Sequence, residues 1–190
     1  MDAVFTLPYP EHAVAERLSR LLPKKDGYSV HLPLSRQQQG MDLLVYFQHS
    51  RRAATIQVKS SRSFPGTPSK RQGIRRFKHY LWFNNFDNRL GDADFYVLFG
   101  LYPRADVDRR RLDKARKLEK WWAHIMLMFP AAEMQKFLNG VKTKSGARDR
   151  FFGFGFDAEA KEIFCNRGPL GPYGSFLIDR RIGDLKGFLK

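Results

Sequence analysis

The segment Gly40-Met41-Asp42-Leu43-Leu44-Val45-Tyr46-Phe47, followed by Ala54-Thr55-Ile56-Gln57-Val58-Lys59-Ser60-Ser61, reads as two successive apolar strands. The first is headed by an acid and the second ends in Gln-x-Lys. Side chains alternate between the faces of a strand, so Gln57 and Lys59 share a face while Val58 turns to the core. Paired as neighbours, the two strands would bring Asp42, Gln57 and Lys59 together near one edge of a sheet. A carboxylate and an amide oxygen suit a hard cation such as Mg²⁺ or Mn²⁺. A lysine beside them can hold a phosphate or orient an attacking water. These are the minimum parts for metal-assisted cleavage of a phosphodiester.

Working outward, His49-Ser50-Arg51-Arg52 reads as the hairpin turn between the two strands. Upstream, Pro10 opens a helical pattern in which Ala13, Val14, Leu18, Leu21 and Leu22 recur, and Lys24-Lys25-Asp26-Gly27 ends it. Tyr28, Val30 and Leu32 alternate as a short strand. Downstream, residues 64–69 read as a loop, His79 to Phe83 and Ala93 to Leu101 as strands, and Arg109 to Trp122 as a helix. Ile125 to Phe129 predicts a buried strand, followed by a helix from Pro130 to about Leu138. Arg150 to Phe156 and Lys161 to Cys165 predict a hairpin, and a Gly/Pro loop over 168–174 precedes a terminal segment with a short helix. No repeat or linker interrupts the 190 residues, so one domain is expected over 1–190. Its motif region covers about 10–100, with an elaboration over about 105–190.

With 43% hydrophobic and 14% aromatic residues, the chain has the makings of a packed core. Its charge is the outlier. There are 34 Lys and Arg against 19 Asp and Glu, a net charge of +15, which points to nucleic acid before an anionic membrane. No apolar run is long enough to span a bilayer, and Met1-Asp2-Ala3-Val4 lacks the order of a signal peptide. The single Cys165 forms no intrachain disulfide, which fits a cytoplasmic location, and it is expected to be a buried strand residue.

Gln-x-Lys alone is a common pattern, and Glu159-Ala160-Lys161 and Asp184-Leu185-Lys186 repeat its [Asp/Glu/Gln]-x-Lys form. Only Gln57-Val58-Lys59 follows an apolar strand headed by an acid, with a carboxylate-bearing helix further upstream. That order of helix with Glu, strand with Asp and strand with Gln-x-Lys resembles the PD-(D/E)XK, or restriction endonuclease-like, nuclease superfamily. It is most similar to the branch in which glutamine replaces the second acid, as in Mrr-like endonucleases. The resemblance implies an α/β (α+β) fold with a three-layer core: a mixed central sheet flanked by helices, with extra C-terminal strands. It implies Asp42 as the central metal ligand, Gln57 and the Val58 carbonyl as further ligands, and Lys59 as the catalytic lysine. It also implies a helix-1 glutamate, for which Glu16 is the first choice and Glu11 the second. The proline usual before the first acid is Met41 here. Each residue also has a structural alternative: Asp42 as a turn acid, Gln57 and Lys59 as an edge-strand face, Glu16 as an i,i+4 partner of Arg20.

From Leu43 to Phe86 the chain carries nine basic residues and no acid: Arg51, Arg52, Lys59, Arg62, Lys70, Arg71, Arg75, Arg76 and Lys78. Such a stretch suits contact with a phosphate backbone, and Ser61 could add a hydroxyl donor. Tyr80, Trp82, Phe83 and Phe86 are expected mainly in the core, with base stacking as their alternative. The expected activity is a Mg²⁺-dependent deoxyribonuclease. The alternatives are a nuclease-fold protein that binds nucleic acid without cutting it, and a ribonuclease. A homodimer would bring two sites to two strands.

Overall fold

The structure is a computed structural model of the chain, and it describes residues 9–33, 40–65, 77–84, 93–103, 122–157 and 162–190. The chain opens with helix α1, Tyr9–Leu21, followed by a 3-10 turn at Lys24–Asp26. Gly27 closes that turn at φ 86, where a Cβ would sit 2.8 Å from the His49 ring. Next come β1 (Tyr28–His31), β2 (Leu43–Phe47) and β3 (Arg52–Arg62), the last of which runs almost directly into β4 (Phe64–Pro65). β5 (His79–Phe83), β6 (Phe95–Pro103), β7 (Trp122–Pro130) and helix α2 (Ala131–Asn139) follow. β8 (Phe152–Asp157), β9 (Glu162–Arg167), β10 (Gly171–Pro172) and helix α3 (Ile178–Leu189) complete the chain.

Two five-stranded sheets form, ordered β1-β2-β3-β6-β7 and β10-β9-β8-β5-β4. The first is mixed. β3 and β6 pair in parallel, with Gln57 opposite Tyr96 and Lys59 opposite Leu98, and its other pairs are antiparallel. The second is antiparallel throughout.

Alternation along the strands sorts the core into two layers. Leu43, Val45, Ile56, Val58, Phe95, Val97 and Phe99 face α1 and α3. Tyr96, Leu98, Leu127 and Phe129 face α2 and the second sheet, where Phe152, Phe154 and Phe156 are fully buried. The fold is thus α+β in three layers, but only one face of the central sheet is covered by helices alone. The other face is covered by a second sheet together with α2, because the Phe-Gly-Phe-Gly-Phe run of β8 offers one wholly aromatic side for burial.

Most of the expected elements appear, with shifts at their ends. β3 runs to Arg62, β4 forms where a loop is expected, and Trp122 begins β7 instead of ending a helix. The remainder of the expected helix over 109–121 lies outside the described residues. Among the described residues no helix is long and apolar enough to cross a membrane.

Cys165 is buried in β9. Burial pushes its thiol up to about 12, against a hydrogen bond in which Sγ donates to the Arg167 carbonyl at 3.4 Å. A thiol held neutral in the folded state and free to ionise once unfolded favours unfolding as pH rises. Its contribution to stability is therefore expected to fall from about pH 8.5, the ordinary thiol value, up to about 12. Ellman's reagent should label the native protein far more slowly than the urea-unfolded chain; equal rates would mean the thiol is not buried.

Candidate active site

Asp42 lies just before β2, and its carboxylate turns along the sheet edge. Its backbone N–H donates to the Ile56 carbonyl at 2.9 Å, and its Oδ2 accepts the Val58 N–H at 2.7 Å. The arrangement follows from unequal strand lengths. β2 starts at Leu43, opposite Ile56, whereas β3 continues to Arg62 paired with β6. Beyond Ile56 the β2-facing groups of β3 therefore have no strand opposite them, and the Asp42 carboxylate takes the first N–H. Within a strand the N–H and C=O of one residue point to the same side, so the Val58 carbonyl is directed to that same edge.

Gln57 and Lys59 flank Val58 and point to the opposite face from it, the face that carries Tyr96 and Leu98. Both are half-buried, and neither side chain makes a hydrogen bond or ion pair among the described residues. Asp42 thus meets Val58, which Gln57 and Lys59 flank in β3, where β2 begins and β3 runs on past it. Asp94, which no motif singles out, braces this point from β6. Its Oδ2 accepts the Thr55 N–H and Oγ1, each at 2.8 Å, and its own N–H donates to Thr55. The reciprocal bonds hold β3 in register with β6 two residues before Gln57.

The two glutamates of α1 separate cleanly. Glu16 is exposed and forms an ion pair with Arg20, on the side of the helix away from Val14 and Leu18. Glu11 precedes Val14 and Leu18 by three and seven residues, so it lies on the sheet-facing side, and its Oε2 is buried. Tyr9, one half-turn earlier, packs on Phe99 with ring centroids 6.0 Å apart, and Phe99 is opposite Ser60. The start of α1 therefore stands at the Lys59 end of β3, on the Val58 side. That three- and seven-residue spacing was readable in the sequence and favours Glu11 over Glu16.

The basic residues do not form one ring around this point. Arg52 starts β3, seven residues of extended chain or about 23 Å from Lys59, and Arg51 lies in the turn before it. Arg62 is near the site. Ser61 Oγ donates to the Arg62 carbonyl at 3.1 Å and accepts the Trp82 N–H at 3.3 Å, so its hydroxyl serves the backbone. Lys78 is exposed at the start of β5, its N–H donating to Asp157. Lys70, Arg71, Arg75 and Arg76 lie outside the described residues, as does Phe86. Of the decoy motifs, Asp184-Leu185-Lys186 is helical, with Asp184 paired to Arg181 at 2.7 Å and Leu185 buried.

The donors near Asp42 are all oxygens: a carboxylate, a backbone carbonyl and an amide. Among the described residues no three His, Cys, Asp or Glu side chains converge on one point. Such a set does not fit zinc, but it fits Mg²⁺, which uses one or two carboxylates and completes its shell with water and phosphate oxygens. A separate cleft bounded by Arg17, His124, Asp157 and Asp179 includes none of these residues, and its Arg17 and Asp179 bond to each other at 2.8 Å.

No protein-family model matches this chain, and neither does any curated protein sequence. Among solved structures it is similar to a bacterial homing endonuclease, I-Ssp6803I. The TM-score is 0.42, with 15% identity over 95% of each chain.

Proposed function

We propose that this protein is a divalent-metal-dependent nuclease that hydrolyses phosphodiester bonds in DNA at the junction of β2 and β3. One observation carries the reading: the Asp42 carboxylate accepts the Val58 N–H at 2.7 Å, and Gln57 and Lys59 flank Val58 in β3. An acid, an amide and a lysine at the end of paired strands form a compact hydrolytic set, and the net charge of +15 supplies attraction to a polyanion.

Asp42, Gln57 and the Val58 carbonyl would hold Mg²⁺ or Mn²⁺. When bound, the ion makes water a better nucleophile at neutral pH and offsets charge on the scissile phosphate. Lys59 places its ammonium beside a non-bridging phosphate oxygen, where negative charge grows as the P–O bond breaks. Asp94 and Thr55 hold the strand that carries Gln57 and Lys59. Glu11 is the second carboxylate of this reading, in place of Glu16, and adds charge that Gln57 cannot.

Purified protein should nick supercoiled plasmid in Mg²⁺ or Mn²⁺ and lose that activity in excess EDTA. Cleavage undiminished by EDTA would overturn the metal assignment, and a matched RNA substrate tests the choice of DNA. Glu11→Gln should slow cleavage by about 10²-fold, while Glu16→Gln, which alters only an exposed pair worth about 0.3–0.5 kcal/mol, should leave it within about twofold. The reverse ranking would reject the placement of Glu11.

A second reading, a protein that binds nucleic acid without cutting it, is favoured by the absence of a three-ligand acid or histidine cluster among the described residues. It predicts steeply salt-dependent binding and no rise in melting temperature with Mg²⁺.

A further inference from the structure

The outer face of the second sheet carries rings and arginines. Cross-strand register sets Phe64 opposite Tyr80, Tyr80 opposite Gly155 and Gly155 opposite Phe164 in one row. A second row runs from Trp82 through Gly153 to Arg167. Leu81 and Phe83 of β5 point into the core, so Tyr80 and Trp82 must point away from it. Phe64 is 54% exposed, and Tyr80 and Trp82 are partly exposed. The glycines of β8 make room for flat rings: a Cβ on Gly153 would come within 2.2 Å of the Trp82 indole, and one on Gly155 within 2.2 Å of the ring of Phe77, which is buried between Tyr80 and Phe164. Tyr80 and Trp82 are nearly parallel, 7° apart with centroids at 6.1 Å. Phe151 continues the series 5.3 Å from Trp82, under an Arg167 guanidinium 4.4 Å from its ring centre.

Charge says what such a face is suited to bind. Arg62, Lys78, Arg150 and Arg167 border it, against Asp149, Asp157 and Glu162. Asp149 is already paired with Arg167 at 2.8 Å, an interaction that holds its carboxyl below the usual range. The face also adjoins the candidate active site, since Ser61, two residues beyond Lys59, accepts the Trp82 N–H. Flat rings bordered by surplus cations match a ligand with exposed π-faces and regular negative charge. A duplex hides its base faces, whereas a single strand offers them.

We propose that this face binds single-stranded DNA, stacking bases on Phe64, Tyr80 and Trp82 while the arginines meet phosphates. The substrate of the nuclease then contains an unpaired segment next to the cut. The inference rests on the nuclease reading for its substrate, but its test does not depend on cleavage.

The test is anisotropy of a fluorescein-labelled DNA about 20 nucleotides long, single-stranded or as a blunt duplex, in EDTA. Trp82→Ala and Phe64→Ala should each raise Kd for the single strand by about tenfold and for the duplex by less than about twofold, with Trp82→Phe retaining most of the affinity. Phe64, being exposed, keeps the test valid if Trp82→Ala lowers the melting temperature. Unchanged single-strand affinity in both variants, or equal losses on duplex and single strand, overturns the proposal. Tighter binding of the matching RNA overturns its assignment to DNA. If Lys59→Ala abolishes cleavage while the stacking variants bind normally, this inference falls and the nuclease reading stands. If the stacking variants lose single-strand affinity but no protein cuts DNA, the reverse holds.

Discussion

Lys59→Ala is expected to slow DNA cleavage by about 10²–10³-fold while changing DNA affinity by less than about twofold. The asymmetry follows from where the charge acts. Binding is shared among many cations, for the chain has 34 Lys and Arg, and the loss of one alters it little. The chemical step needs positive charge at one oxygen, and in this reading only Lys59 is held beside Asp42 and Gln57. Lys59 makes no hydrogen bond or ion pair among the described residues, so its removal should not disturb the fold. Arg in its place should restore little activity, because a planar fork presents its charge with a different geometry. Single-turnover cleavage with Mg²⁺, read beside anisotropy in EDTA, separates the two quantities. Equal cleavage by wild type and Lys59→Ala would trace the activity to a contaminant and end the nuclease reading.

Phe154→Ala should produce the largest loss of stability. Phe154 is fully buried between the sheets, its ring 5.7 Å from Phe137, 5.3 Å from Tyr173 and 6.4 Å from Phe83. Truncation removes the ring and leaves a cavity that paired strands cannot collapse to fill, at a cost of about 3–5 kcal/mol. That is a large share of the roughly 5–15 kcal/mol holding a typical domain together. Urea unfolding followed by tryptophan fluorescence measures it. Phe64→Ala, at an exposed position, should stay within about 0.5 kcal/mol. A loss below about 1 kcal/mol for Phe154→Ala would mean that the second sheet is not packed on the first.

Local pattern was enough wherever a residue's role depended on its neighbours in sequence. Alternation in Leu43–Phe47 and Ala54–Lys59 predicted the strand pair, which forms with the Asp42 carboxylate bonded to the Val58 N–H. The acid-led strand was readable because β2 and β3 are joined by a tight turn, which limits the choice of register. The sequence reading put Glu16 first as the helix glutamate, although helical spacing to Val14 and Leu18 sets Glu11 on the sheet-facing side. Glu16 sits instead in the local ion pair with Arg20 that its i+4 spacing also allowed.

Residues 43–86 show the other side. Sequence counted nine basic residues in one acid-free stretch, but the length of β3 separates Arg52 from Lys59 by about 23 Å, with Arg51 in the turn before it. The sequence also placed Tyr80 and Trp82 mainly in the core, whereas both lie on the outer face of β5, and Phe83 beside them is buried. The difference came from Gly153 and Gly155, some seventy residues away, which pair with β5 and receive no side chain of their own. The sequence by itself thus determined the strands, the first helix, the cationic character and the meeting of Asp42 with the strand that carries Gln57 and Lys59. Only the tertiary structure decided what covers the central sheet and which aromatics remain at the surface. Those outcomes depend on pairing between distant strands, whose free energy lies in shared burial that no single segment contains.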